Sequence, residues 1–133
     1  MNKVRKGIVL CMVACLFSLN AYGVCKEGTE ITGKNGHVYC MSNVLMNWYT
    51  AFAWCDTQGR TLATMEQMCD IDETERWDGN TGEGKCLNMV GAGLSRWAWS
   101  SIPCGSTSAF YVTLSPGTVT NSSRTPTNTA VCW

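Results

Sequence analysis

Residues 47–67 read NWYTAFAWCDTQGRTLATMEQ. Trp48, Ala51, Phe52 and Cys55 recur at the three- and four-residue spacing of one helix face. Asn47 stands where its side chain can cap the first turn, and Gly59 falls where a helix accepts a left-handed residue to stop. The stretch therefore predicts one short helix with a cysteine on its buried side. Arg60 to Ala63 cannot continue that helix past Gly59, while Thr64 and Gln67 have the spacing of a capping box that opens a second one. Leu62 is expected to plug the core between the two helices.

Upstream, Lys3, Arg5 and Lys6 precede an apolar run from Gly7 to Leu19, and Ala21, Tyr22 and Gly23 place small residues where a signal peptidase reads. Residues 1–23 are expected to be a secretory signal peptide and 24–133 the domain. A lipoprotein box would use Met12 to Cys15, but the apolar run continues past Cys15. No other run approaches the roughly 20 residues of a spanning helix. Loss of the leader turns nine cysteines into seven and leaves seven Lys and Arg against ten Asp and Glu. A mildly acidic exported chain argues against nucleic acid as a partner. Its cysteines read as disulfides in a small domain with limited core, and zinc is set aside because no Cys-x-x-Cys or His pair occurs.

Cys25 and Cys40 flank EGTEITGKNGHVY, in which Asn35 and Gly36 form a strong turn signal between two short strands. Antiparallel pairing would bring these two cysteines together. Cys69 and Cys86 bracket a polar excursion and are expected to pair, leaving Cys104 odd and open to an intermolecular bond. Cys86 with Cys104 is the alternative.

The succession of an aromatic-rich helix carrying Trp54-Cys55, a glycine, Thr61-Leu-Ala-Thr64 and a C-terminal TAVCW resembles the C-type lectin-like domain. In that family the helix cysteine pairs with one in the last strand and ties the chain ends together. The resemblance thus implies a Cys55–Cys132 bridge and an α+β fold of two short helices packed on small antiparallel sheets, stapled by disulfides. The calcium-dependent sugar-binding members carry a Pro-flanked acid or amide pair and a Trp-Asn-Asp run, and neither is present. The resemblance implies the scaffold without that sugar site.

From Leu94 the period changes to two: RWAWSSI, AFYVTLS, GTVTNSS and TAVCW are separated by PCGSTS, Pro116-Gly117 and RTPTN. In AFYVTLS, Phe110, Val112 and Leu114 share one face and Tyr111, Thr113 and Ser115 the other, as on a half-buried antiparallel strand. A small C-terminal meander is expected. Its WAWSS, FYV, G-x-V and AVC order also resembles the sheet of bacterial members of the wider lectin-like superfamily, including formylglycine-generating-enzyme-like and phage receptor-binding proteins. Nothing in the chain matches that enzyme's catalytic residues.

The segment DIDETERWDGNTGEGK, Asp70 to Lys85, concentrates the acidic residues. Asp70, Asp72, Glu73 and Asp78 are weak candidates for calcium, a hard cation that takes several oxygen ligands. The preferred reading is a solvated loop, with no metal or other cofactor, because the spacing does not match an EF-hand. GNTGEGKC falls one residue short of a phosphate-binding loop, since Cys86 replaces the Ser or Thr, and no apolar strand precedes it.

Trp97 and Trp99 fall on one strand face and are candidates to stack on a ligand, at least one of them being expected in the core. Asn121, Ser122, Ser123, Arg124, Thr127 and Asn128 are short, polar and turn-forming, and are expected to project as a contact surface, with Arg124 able to fork onto a partner's carboxylate or amide. Catalysis is not expected. His37 is the only histidine and sits beside a turn, and neither the serines nor Cys104 has a recognisable base partner. The functional expectation is a secreted, periplasmic or surface-displayed binding module of adhesin or receptor-binding type, for a protein or carbohydrate ligand. The alternative is a structural subunit or tip component of a pilus-like extracellular assembly.

Overall fold

The computed structural model describes residues 25–92 and 96–133. The expected signal peptide lies outside them, as does the start of the first C-terminal strand at Leu94. The described chain is α+β. Strands β1 (Thr29–Thr32) and β2 (Val38–Met41) form a hairpin, followed by helices α1 (Trp48–Thr57) and α2 (Met65–Cys69) and a 3-10 turn (Leu87–Met89). Strands β3 (Trp97–Cys104), β4 (Ser108–Thr113), β5 (Thr118–Ser123) and β6 (Thr129–Cys132) complete it.

The local signals behave as their chemistry requires. Asn47 accepts a bond from the Thr50 amide at 2.9 Å, and Gly59 adopts φ +70° just past α1. Thr64 and Gln67 exchange side-chain and backbone bonds of 3.0 Å across the start of α2. The hairpin connection is wider than a two-residue turn. Residues 33–37 form it, closed by Gly33 N–H to the His37 carbonyl and Gly36 N–H back to Gly33, with Gly36 at φ +82°.

The strands form one six-stranded sheet in the order β1-β2-β6-β3-β4-β5. The small antiparallel sheets expected from sequence are therefore one mixed sheet. β3, β4 and β5 do form an antiparallel meander, but β6 leaves it, running parallel to β3 (Ala98 opposite Thr129) and antiparallel to β2 (Cys40 opposite Cys132). All four residues of β6 are buried, as a central strand covered on both faces demands.

Alternation then divides the core in two. Tyr39, Met41, Ala98, Val112 and Val131 pack with Met65 and Met68 of α2 and with Met89. Cys40, Trp99, Ala130 and Cys132 pack with Trp48, Ala51 and Cys55 of α1. The two helices thus cover opposite faces. Leu62 is buried as expected, but on the α1 side, while the adjacent Ala63 turns to the α2 side. This linker acts as a short extra strand: Ala63 N–H bonds the Val131 carbonyl at 2.9 Å, and Ser101 N–H bonds the Ala63 carbonyl at 2.8 Å where β3 bulges between Trp99 and Pro103. Phe52, placed on the buried face by sequence, is exposed and packs edge-on to Trp48 instead.

Three disulfides join Cys25–Cys40, Cys55–Cys132 and Cys69–Cys86, and Cys104 is free and half-buried. Cys40 and Cys132 face each other across β2 and β6, yet each bonds elsewhere. The disulfides therefore tie that one register point outward, to the chain start at Cys25 and to α1 at Cys55. Among the described residues no helix is long and apolar enough to cross a membrane.

Candidate functional site

Loop 42–47 runs from β2 to α1 over the ends of β3 and β6. Its backbone is locked: Met46 and Asn128 exchange N–H to carbonyl bonds of 2.8 and 2.9 Å, and Ser42 Oγ accepts the Ala130 amide at 2.9 Å. Beside it opens a groove of about 470 Å³ lined by Asn43, Leu45, Arg96, Trp97, Thr127 and Asn128. That volume lies within the range of small-ligand sites.

Trp97 and Trp99 share a face but not a fate. Trp99 is fully buried on the α1 side and donates from Nε1 to the Met46 carbonyl at 3.0 Å, holding loop 42–47 in place. Trp97, two residues nearer the strand end, is 57% exposed and leans on Tyr111 at a ring separation of 5.7 Å. Tyr111 is the cross-strand partner of Trp99 and so supports both rings.

The polar candidates separate. Thr127 and Asn128 line the groove with Trp97, although Asn128 is only 3% exposed. Asn121, Ser122 and Ser123 are not loop residues: they belong to β5, paired with Phe110, Ala109 and Ser108, at the edge of the sheet. Arg124 does not project toward a partner. Nε donates to the Ser108 carbonyl at 3.1 Å, Nη2 to the Gly105 carbonyl at 3.0 Å, and the guanidinium lies over Trp48. The carbonyls of Gly105 in the β3–β4 turn and Ser108 at the start of β4, with an aromatic face at the start of α1, draw the fork inward.

In the acidic segment the carboxylates are turned onto their own backbone. Asp72 accepts from the Thr74 hydroxyl at 2.6 Å and from its amide at 2.7 Å, which lowers its pKa, and Asp70 accepts from the Trp77 amide at 2.7 Å. Lys85 reaches Asp78 at 2.6 Å and, with the Asn80 amide, holds it down at about 2. Glu73 is exposed beside them. Among the described residues no group of three His, Cys, Asp or Glu side chains is arranged to hold a metal ion. The glycine-rich GNTGEGKC lies against the sheet edge. Gly82 and Val119 exchange bonds of 2.9 and 3.0 Å, and Cys86 N–H bonds the carbonyl of Gly117. Gly117 sits at φ +68°, where an added Cβ would meet the Cys86 carbonyl at 2.6 Å.

His37 lies just before β2 and is partly exposed. Its ring stacks on Trp133 at 3.5 Å and meets Tyr39 edge-on, and its Nε2 is buried without a hydrogen-bond partner. Burial, then the nearby charge of Arg60, lower its pKa.

Sequence reasoning missed Asn43, Leu45 and Arg96. Loop 42–47 has no periodicity to read. The available signals were an apolar pair, Val44 and Leu45, set between asparagines, and a cation next to the exposed member of the tryptophan pair.

The described chain is a disulfide-stapled α+β domain with a groove beside Trp97 lined by side chains from three parts of the chain. Compared with known protein families, curated sequences and solved structures, the chain matches none.

Proposed function

We propose that the chain is a secreted or surface-displayed, non-catalytic binding module of C-type lectin-like fold, and that the groove beside Trp97 is its contact surface. The fold reading is supported by the bridge from the α1 cysteine, Cys55, to Cys132 in the last strand, the feature the resemblance implies, and by the pairing of β2 with β6 near the chain ends. Three intramolecular disulfides fit an oxidising compartment. The observation that carries the functional reading is the exposed Trp97 indole set among Arg96, Asn43 and Asn128 in one concave surface. A large exposed aromatic with polar groups converging beside it is the composition of a binding site. A non-catalytic role is supported by His37, whose stack on Trp133 and buried Nε2 leave it no hydroxyl or thiol to activate. The test is an unbiased screen against glycans and proteins with the intact protein and with Trp97→Ala. Ligands retained by the intact protein and lost by the variant support the module, and equal retention by both removes the groove as its contact surface.

A second reading, a structural subunit or tip component of an extracellular assembly, is favoured by Cys104. It is the one cysteine without a partner among the described residues, and it is partly exposed at the end of β3. Native mass under non-reducing conditions separates the two. A monomer supports the module, and a disulfide-linked oligomer that Cys104→Ser abolishes supports the assembly component.

A further inference from the structure

We propose that the two disulfides meeting at the end of α1 form a thiol relay. When a small external thiol opens Cys25–Cys40, the fold answers with a new Cys40–Cys132 bond that releases Cys55, and α1 with it. The relay is independent of the groove and of what binds there.

The strand register supplies the geometry. Cys40 and Cys132 are directly opposite on antiparallel β2 and β6, and two residues along the same ladder the Ser42 amide bonds the Ala130 carbonyl at 2.9 Å. Opposite Cα atoms in an antiparallel pair are about 4.5 to 5.5 Å apart, within the span that a disulfide bridges. The existing bonds, Cys25–Cys40 and Cys55–Cys132, each join Cα atoms 5.6 Å apart. Cys40, Cys55 and Cys132 belong to one buried cluster on the α1 side, and Cys25 packs against it. The pairing that the register favours is thus one exchange away from the pairing that exists.

Access sets the direction. Cys40, Cys55 and Cys132 are fully buried, whereas Cys25 is partly exposed. The thiolate of an external thiol therefore meets Cys25 Sγ first, forms a mixed disulfide there and expels Cys40 as a thiolate. Cys40 Sγ lies 3.5 Å from the Glu27 carbonyl and 4.0 Å from Gln58 Oε1. Both atoms are acceptors that repel an anion, and burial among apolar groups raises its cost further. Such a thiolate is a strong nucleophile, and the disulfide sulfur across the ladder is that of Cys132. Attack there makes Cys40–Cys132 and expels Cys55, which takes up the proton that the external thiol gave up. The external thiol ends as a mixed disulfide on Cys25, one internal disulfide replaces another, and one thiol appears at Cys55. A thiol has then passed from the partly exposed clasp at Cys25 to the buried clasp of α1. The helix is untied from β6, and β2 is locked to β6 instead.

The experiment uses the full protein in a Cys104→Ser background, so that the thiol at Cys104 takes no part. Dilute oxidised protein is treated with reduced glutathione, quenched with iodoacetamide at intervals and mapped as non-reduced peptides by mass spectrometry. The expected products are a linked Cys40–Cys132 peptide, alkylated Cys55 and glutathionylated Cys25, formed at a rate independent of protein concentration. Cys25→Ser and Cys55→Ser, equilibrated in a glutathione redox buffer, enter the exchange from its two ends. Both should yield Cys40–Cys132, with Cys55 alkylated in the first and Cys25 left unpaired in the second. Alkylated Cys40 beside an intact Cys55–Cys132 bond, in the treated protein and in Cys25→Ser alike, overturns the inference. A Cys40–Cys132 peptide whose rate of formation rises with protein concentration also overturns it, because the exchange then runs between molecules.

Discussion

The guanidinium carbon of Arg124 lies 4.3 Å from the centroid of the Trp48 ring, while the Trp48 amide donates to the Arg124 carbonyl at 3.1 Å. The two residues thus hold each other by side chain and by backbone, joining the segment after β5 to the first turn of α1. With the bonds to Gly105 and Ser108 included, one side chain links the β3–β4 turn, the end of β5 and the helix start. Arg124→Ala should destabilise the fold by about 2 kcal/mol, the sum of a partly exposed cation–π contact and two hydrogen bonds to carbonyls. Arg124→Lys should recover less than half, because an ammonium lacks the planar fork. Denaturant titration of both variants checks this, and an unchanged midpoint for the alanine variant would contradict it.

The disulfides should rank by loop length. Cys55–Cys132 spans 77 residues and Cys69–Cys86 spans 17. On the chain-entropy relation these correspond to about 4.5 and about 3 kcal/mol. Paired Cys→Ala variants compared by urea unfolding should show Cys55/Cys132 as the greater loss, and the reverse order would place the dominant effect in the folded state.

Asn88 is a hub of buried polar contacts. It donates to the Tyr39 hydroxyl at 3.0 Å and to the Met68 carbonyl at 2.9 Å, and accepts from the Asn35 amide at 2.7 Å. The Tyr39 hydroxyl in turn donates to the Gln67 carbonyl and accepts from Asn35. Asn88→Ala takes the side-chain partner from the Asn35 amide and the Met68 carbonyl and one of three bonds from the Tyr39 hydroxyl, and should cost about 2 to 4 kcal/mol because several bonds are lost together. Tyr39→Phe removes one member without a cavity and should cost less. Unfolding of the two variants under one condition tests the order.

His37 gives the stability a pH dependence of known sign. Burial, then Arg60, lower its pKa below the ordinary 6.5, so the unfolded chain takes up the proton first. The contribution of the neutral ring is fully present above pH 6.5 and is lost as pH falls through the lower folded value. Substituting His37→Phe keeps a ring against Trp133 and should flatten the stability profile just below pH 6.5. Asp78, held at about 2, acts in a separate and more acidic window, its contribution present above 3.8 and lost as pH falls toward 2. A profile unaltered by His37→Phe would show that the ring titrates alike in both states.

Much of the fold was legible locally because its causes are local. Asn47, Gly59 and the Thr64–Gln67 box act within one or two helical turns, the Asn35-Gly36 turn signal brings Cys25 to Cys40, and Phe110, Val112 and Leu114 alternate with Tyr111 whatever lies beyond them. By itself the sequence determined the two short helices, the hairpin and the β3–β5 meander, while the choice between Cys69 and Cys104 as the odd cysteine was left to the tertiary structure. Tertiary structure alone decided that β6 leaves the meander to lie parallel to β3, since a parallel pair is set by what covers both faces and not by any turn. That choice separates Trp99 from Trp97, because only the inner ring lies under loop 42–47. It also brings Asn43 and Leu45, Arg96 and Trp97, and Thr127 and Asn128 to one groove from three distant parts of the chain, and it lets the β3–β4 turn and Trp48 draw Arg124 inward. Contacts between residues so far apart in sequence carry no periodicity, so burial and exposure at the groove emerge only when the sheet order is known.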